Sequence, residues 1–319
     1  MNEETLYSLR HEPSSEFAST LRGRLGAADA SARRAGAARH RMLLKPLAAM
    51  AMIAALFAIP AVRTSAQSLL LMFRVRTFIG VPLTNERARD LTRRFDLEGM
   101  LGGNVNVIDA PGQPIEVASP DAASGEAGYA VRVPAALPDG ASLVRTAVTR
   151  ASHAQVTVDA SLLSQVMEAL SIDDLTVPAA LAGQVVDIRV SPVVFTTYRL
   201  DQAGTRVELV QELIPNVQLP SNVDMAALGE IGLRILGLPP ADAREIAAAI
   251  DWKTTLLVPI PPDASSFRQV DVNGASGLLV EKFGSTVESL LLWATSDRAY
   301  AMKGRIGGAQ LVALAASVR

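Results

Sequence analysis

From Pro46 to Val62 the chain reads PLAAMAMIAALFAIPAV, seventeen residues without a charge between Lys45 and Arg63. As an α-helix at 1.5 Å per residue, this run covers about 26 Å, close to the roughly 30 Å hydrocarbon core of a bilayer. Met42, Leu43 and Leu44 lengthen the apolar stretch, Lys45 can lift its ammonium to the interface, and Pro60 falls near the exit, where a lost backbone bond matters least. The reading is a transmembrane helix over residues 43–62. Arg33, Arg34, Arg39, Arg41 and Lys45 precede the run with no acid among them, which places the N-terminus in the cytoplasm and the remainder outside. Residues 1–45 hold eight basic and five acidic side chains, whereas residues 77–319 hold nineteen and twenty-seven, so net charge changes from +3 to −8 across the run. The competing readings are a cleaved signal peptide ending near Thr64-Ser65-Ala66 and a buried helix of a soluble protein. A pre-segment of 45 residues and a run of seventeen exceed ordinary signal-peptide proportions. The anchor and signal-peptide readings both export residues 64–319.

Composition narrows the chemistry. Hydrophobic residues make up 49% and charged residues 19% of the 319, which suits a chain with a buried core. The formal charge of −2 excludes a globally basic nucleic-acid coat, so no nucleic-acid partner is expected. There is no cysteine, which removes disulfides, thiolate metal sites and cysteine nucleophiles. Of three histidines, His11 and His40 precede the apolar run, leaving only His153 for the exported part. A Ser-His-acid triad would need His153, and Gly274-Ala275-Ser276-Gly277 lacks the glycine spacing of a nucleophile elbow. The acidic pairs Asp173-Asp174, Glu208 with Glu212, and Asp242 with Glu245 read as solvated faces, because a sugar cleft would recruit aromatic platforms and aromatics are only 4%. Asp271-Val272-Asn273-Gly274 is a turn, since Glu281 is not at calcium-loop spacing. Neither phosphate-loop glycine pattern occurs. The expectation is a non-enzymatic chain with no cofactor and no metal.

Residues 1–42 are too few for a core of their own. Ser14 or Ser15 can cap a helix that sets Phe17, Leu21 and Leu25 on one face, a stripe suited either to a cytoplasmic or membrane signalling partner or to the anionic inner leaflet. Residues 26–41 form a basic juxtamembrane linker. Residues 63–103 read as a juxtamembrane helical neck: Leu69–Phe73 as an interfacial continuation, then a helix over 83–101 capped by Thr84 and stopped by Gly102-Gly103. Residues 104–319 read as one α+β domain. Strands are predicted near 105–108, 129–133, 142–149, 153–158, 184–191, 193–200 and 205–213, with Val186, Ile188 and Val190 alternating against Asp187 and Arg189. Ser119-Pro120 starts a helix that Gly128 ends, Asp159 caps another, and Asp224 with Pro239-Pro240 opens a helical hairpin. Asn273-Gly274 marks one β-hairpin, Thr295–Arg298 a second, and a helix with Leu311, Leu314 and Ala315 closes the chain. The fold class is therefore α+β: a single transmembrane helix, then a mostly antiparallel sheet with helices packed on one face. Ile231, Ile235, Ile246 and Ile250 of the helical hairpin, with Trp252 and Trp293, are candidates to line an apolar cleft, and the alternative for each is the core.

Three stretches carry a resemblance: GYAVRVPAALPDG (128–140), LLLWATSDRAYAMKG (290–304), and the closing helix through Ala316-Ser317. Together with SEFASTLRGRL (15–25) ahead of a basic stretch and one anchor, they resemble bacterial membrane-anchored, anti-sigma-factor-like proteins that end in an extracytoplasmic domain of unknown function. The resemblance implies an envelope protein in a signalling or sensing role, its outer domain binding or sensing and its N-terminal helix contacting a partner. It carries over no catalytic residue. The chain departs from zinc-binding anti-sigma factors, having no Cys and no His-Cys cluster. The alternative is an anchored, lipoprotein-carrier-like domain for lipid or another apolar ligand.

Overall fold

The computed structural model describes residues 71–73, 75–93, 104–219 and 224–319. The protein is α+β. Its strands are β1 (Leu71–Phe73), β2 (Thr77–Pro82), β3 (Val105–Asp109), β4 (Ile115–Val117), β5 (Ser142–Val148), β6 (Ser152–Thr157), β7 (Val185–Val190) and β8 (Val194–Arg199). They continue with β9 (Arg206–Leu213), β10 (Asn216–Leu219), β11 (Thr255–Ile260), β12 (Ser266–Val272), β13 (Ala275–Lys282), β14 (Glu288–Ala294) and β15 (Arg298–Gly304). The α-helices are α1 (Asn85–Arg93), α2 (Pro120–Ala127), α3 (Ala160–Ala169), α4 (Met225–Ile235), α5 (Pro240–Ala249) and α6 (Gly308–Ala316). No helix among the described residues is long and apolar enough to cross a membrane. The Pro46–Val62 run and the Phe17, Leu21 and Leu25 stripe lie outside the described residues.

The largest sheet has eight strands in the order β12-β13-β14-β15-β9-β8-β5-β4, antiparallel throughout. Local chemistry explains its hairpins. Asn273 and Gly274 both take left-handed φ values, 53° and 84°, the geometry a two-residue turn between β12 and β13 requires. Alternation places Thr196, Tyr198, Val207, Leu209, Trp293, Tyr300 and Met302 on one face, where Leu311, Leu314 and Ala315 of α6 pack. The alanines Ala123 and Ala127 of α2 pack on Val148 and Val194 of that same face. Helix α2 is bounded as its sequence predicts: Ser119 accepts from the Ala122 N–H at 3.1 Å, and Gly128 ends it at φ 74°. Asp159 and Asp224 cap α3 and α4 in the same way.

A second sheet orders β1-β10-β7-β6-β3, again antiparallel, with Val156 and Val186 buried and His153, Gln155, Asp187 and Arg189 on the opposite face. The third is a ribbon of β2 parallel to β11. It lies against β13 and β14, and Gln269 Nε2 donates to the Phe78 carbonyl. The helices α4 and α5 pack beside the ribbon around Val81, Leu233, Ala247, Trp252 and Leu257. Gly229 of α4 has no room for a side chain: a Cβ there would sit 1.9 Å from the Trp252 ring. That contact accounts for a glycine inside a helix, where it otherwise costs about 1 kcal/mol against alanine.

Several expectations need correction. The stretch read as a helical neck contains β1 and β2, whose partners are β10 and β11, and the described helix there is the shorter α1. Thr84 does cap it, accepting from the Arg87 N–H at 3.1 Å. Residues 129–133 join no ladder; instead Val133 exchanges two hydrogen bonds, 3.0 and 3.1 Å, with Arg319. There are three sheets rather than one, and α3, α4 and α5 do not share the face that α2 and α6 cover.

Candidate functional site

A partly buried polar network forms where residues 129–133, β9 and the β14–β15 turn meet. Gln211, 1% exposed, stands on the apolar face of β9 in the alternation Val207, Leu209, Gln211. Its Oε1 accepts from the Arg132 N–H at 2.9 Å and from Arg298 Nη1 at 3.2 Å, and its Nε2 donates to the Arg132 carbonyl at 2.7 Å. Arg298 also donates to the Ala130 carbonyl and lies 5.0 Å over the Tyr129 ring. The Tyr129 hydroxyl reaches the carbonyls of Pro192 at 2.8 Å and Gln211 at 3.0 Å. Arg132 makes a fork to Asp297, 3.0 and 3.3 Å, and donates to the Tyr300 hydroxyl at 2.9 Å. Trp293 stacks on Tyr300 with centroids 4.8 Å apart.

The electrostatics follow from this packing. Burial, reinforced by the charge of Glu212, holds the Tyr129 phenol above its ordinary value, so it stays a neutral donor. Desolvation works to raise the Asp297 carboxyl, but the Thr295 hydroxyl, the charge of Arg132 and its fork outweigh it, leaving the group below the usual carboxylate range. Glu212 points to the opposite face of β9 beside Ala299, and burial pushes its carboxyl up to about 7.

Chemically the assembly is a latch. Gln211 spends its side-chain oxygen and nitrogen on protein partners, and the two arginines are spent on a carbonyl, a phenol and a carboxylate, so no nucleophile is paired with a base. It joins the three stretches that carried the family resemblance: Tyr129 and Arg132 from the first, Asp297, Arg298 and Tyr300 from the second. The third is tied on by Ala135 N–H to the Ser317 carbonyl at 2.9 Å, next to the Val133–Arg319 pair.

His153 has a different setting. Its Nε2 is 2.7 Å from Asp187 Oδ2, which also accepts from Gln155 at 3.1 Å, while Arg189 donates to Oδ1 at 2.9 Å. Partial burial opposes the shift, but bonds from Arg189, His153 and Gln155 draw the Asp187 carboxyl down to about 2. The serine singled out with it, Ser276, is on β13 of another sheet and donates to Gln269. Of the acidic pairs, Asp174 holds Arg234 in a bidentate pair at 2.8 Å and Glu208 holds Lys303 at 3.4 Å. Among the described residues no group of three or more His, Asp or Glu is arranged to hold a metal.

The six cleft candidates do not converge. Ile231 and Ile235 pack with Met167 of α3 and Leu170 just after it, Ile246, Ile250 and Trp252 pack beside the ribbon, and Trp293 belongs to the core under α6. The latch residues escaped sequence reasoning, although one signal was legible: a glutamine at a core-facing position of an alternating strand. Comparison with family models, with curated proteins and with solved structures finds no match to this chain.

Proposed function

We propose that the chain is a non-enzymatic, single-pass envelope protein of the anti-sigma-factor-like or sensor type, localised to the cell membrane with its N-terminus cytoplasmic and its C-terminal domain extracytoplasmic. The observation that carries this reading is the uncharged Pro46–Val62 run with its one-sided basic flank. Residues 43–62 are the transmembrane helix, the domain beyond them binds or senses, and the Phe17, Leu21 and Leu25 stripe contacts a cytoplasmic or membrane signalling partner. One structural fact supports the reading: the polar network around Gln211 is consumed in holding the domain's own chain together. The lipid-carrier alternative has less support, because its cleft candidates pack in three separate cores.

The partner contact is testable with a photo-crosslinking residue at Leu21 of the full-length protein in cells. The expected result is a discrete protein adduct, lost when Phe17 and Leu25 are both changed to aspartate. Adducts to lipid alone, or a protein adduct indifferent to those changes, would remove the signalling contact.

A further inference from the structure

The end of the eight-stranded sheet farthest from the latch concentrates positive charge on an otherwise acidic region. On β8 the face opposite α2 and α6 carries Phe195, Thr197 and Arg199, and on β9 it carries Arg206, Glu208, Val210 and Glu212. Register sets Arg199 directly opposite Arg206, and the same face carries Arg145 across from Thr197 and Lys303 across from Glu208. Arg305 lies just past β15, two residues after Lys303. Three of these five cations have a carboxylate: Arg145 with Glu116 at 2.7 Å, Lys303 with Glu208 at 3.4 Å, and Arg305 with Glu288 at 3.2 Å. The other two do not. Arg199 donates only to the Ser142 hydroxyl at 3.1 Å, and Arg206 makes no ion pair or side-chain hydrogen bond with another described residue.

The placement of these two is unfavourable by itself. Leu200 N–H donates to the Thr205 carbonyl at 2.8 Å, so the next pair, Arg199 and Arg206, is a non-hydrogen-bonded one, with Cα atoms about 4.5 Å apart. Like charges directly opposite at that spacing repel. Both side chains are exposed, and guanidinium groups offer planar forks of donors that match a phosphate's oxygens.

We propose that Arg199 and Arg206 form a binding site for a phosphate-type oxyanion, which bridges the two guanidinium groups and cancels their repulsion. The site rests on sheet register alone, so it stands or falls independently of the membrane topology and of any cytoplasmic partner.

The test uses the full chain in nonionic detergent and follows thermal unfolding at constant ionic strength, with inorganic phosphate replacing chloride. A second arm uses short-chain phosphatidylglycerol to separate a free phosphate from a lipid headgroup as the source. A site filled to about ten times its Kd should raise Tm by roughly 2–4 °C in a saturable way. In Arg199→Gln and Arg206→Gln that response should vanish, while Arg268→Gln, an isolated exposed arginine on β12, retains it. Each of the two glutamine variants should also melt slightly above the wild type without ligand, because the repulsion is gone. Saturation by either ligand with this pattern supports the site. An equal response in the Arg199→Gln, Arg206→Gln double variant, or no saturable response in either arm, overturns it.

Discussion

Changing Gln211 to leucine is expected to destabilise the protein by about 4 kcal/mol, although leucine has similar bulk and suits a core position. The substitution removes the acceptor of the Arg132 N–H and of Arg298 Nη1 and the donor to the Arg132 carbonyl. Arg298 is buried and the bonds to the Arg132 backbone are partly so, which limits how far water replaces the lost partner, and each buried orphan costs about 1–3 kcal/mol. Denaturant titration should show the midpoint falling with the slope unchanged, since the surface exposed on unfolding is the same. The 129–136 segment, whose backbone is paired to the chain only through the isolated Pro134–Val318 bridge and its flanking bonds, should also become the earliest site of limited proteolysis. A loss below about 1 kcal/mol would mean that the latch is incidental to the fold.

A pH-dependent gain is expected at Glu212. An unfolded glutamate titrates near 4.3, whereas burial pushes this one up to about 7. Below pH 4 the carboxyl is protonated in both states and costs nothing. Between about pH 4 and 7 the unfolded chain ionises first, so the fold loses stability as pH rises, and above 7 the loss is complete. The difference amounts to roughly 3 kcal/mol. Glu212→Gln should therefore match the wild type at pH 4 and exceed it by about 3 kcal/mol at pH 8, measured by denaturation at the two pH values. An equal difference at both would show that ionisation of Glu212 is not the cause. Asp187 has the opposite sign: its carboxyl at about 2 contributes stability that is present above the ordinary carboxylate range and is lost as pH falls toward 2.

Much of the fold is legible where local chemistry is decisive. Ser119, Asp159 and Asp224 cap the helices they precede, Gly128 ends α2, Asn273-Gly274 turns β12 into β13, and alternation marks β7 to β9. What escaped depends on partners distant in sequence. Strand β2 pairs with β11 almost 180 residues later, and β11 carries Pro259, which ordinarily argues against a strand. The proline is tolerated because β11 has a single strand partner, so one of its edges needs no donor. Residues 129–133 alternate like a strand, but their hydrogen bonds go to Gln211 and to the chain's last residues, a choice no local pattern reveals. For the latch, the motifs Tyr129-Ala130-Val131-Arg132 and Asp297-Arg298-Ala299-Tyr300 were visible as stretches. Their chemistry emerges only when Gln211 stands between them. The cleft candidates failed to converge because apolar residues at helical spacing mark any core, and Trp252 and Trp293 seal two different ones.

The central claim is one of sidedness, and a pair of reporter fusions tests it. An enzyme that folds only outside the cytoplasm, fused after Arg319, should be active, and the same enzyme fused near residue 40 should be inactive. Activity near residue 40 with none after Arg319, or inactivity at both in a full-length product that fractionates with cytosol, would contradict the account.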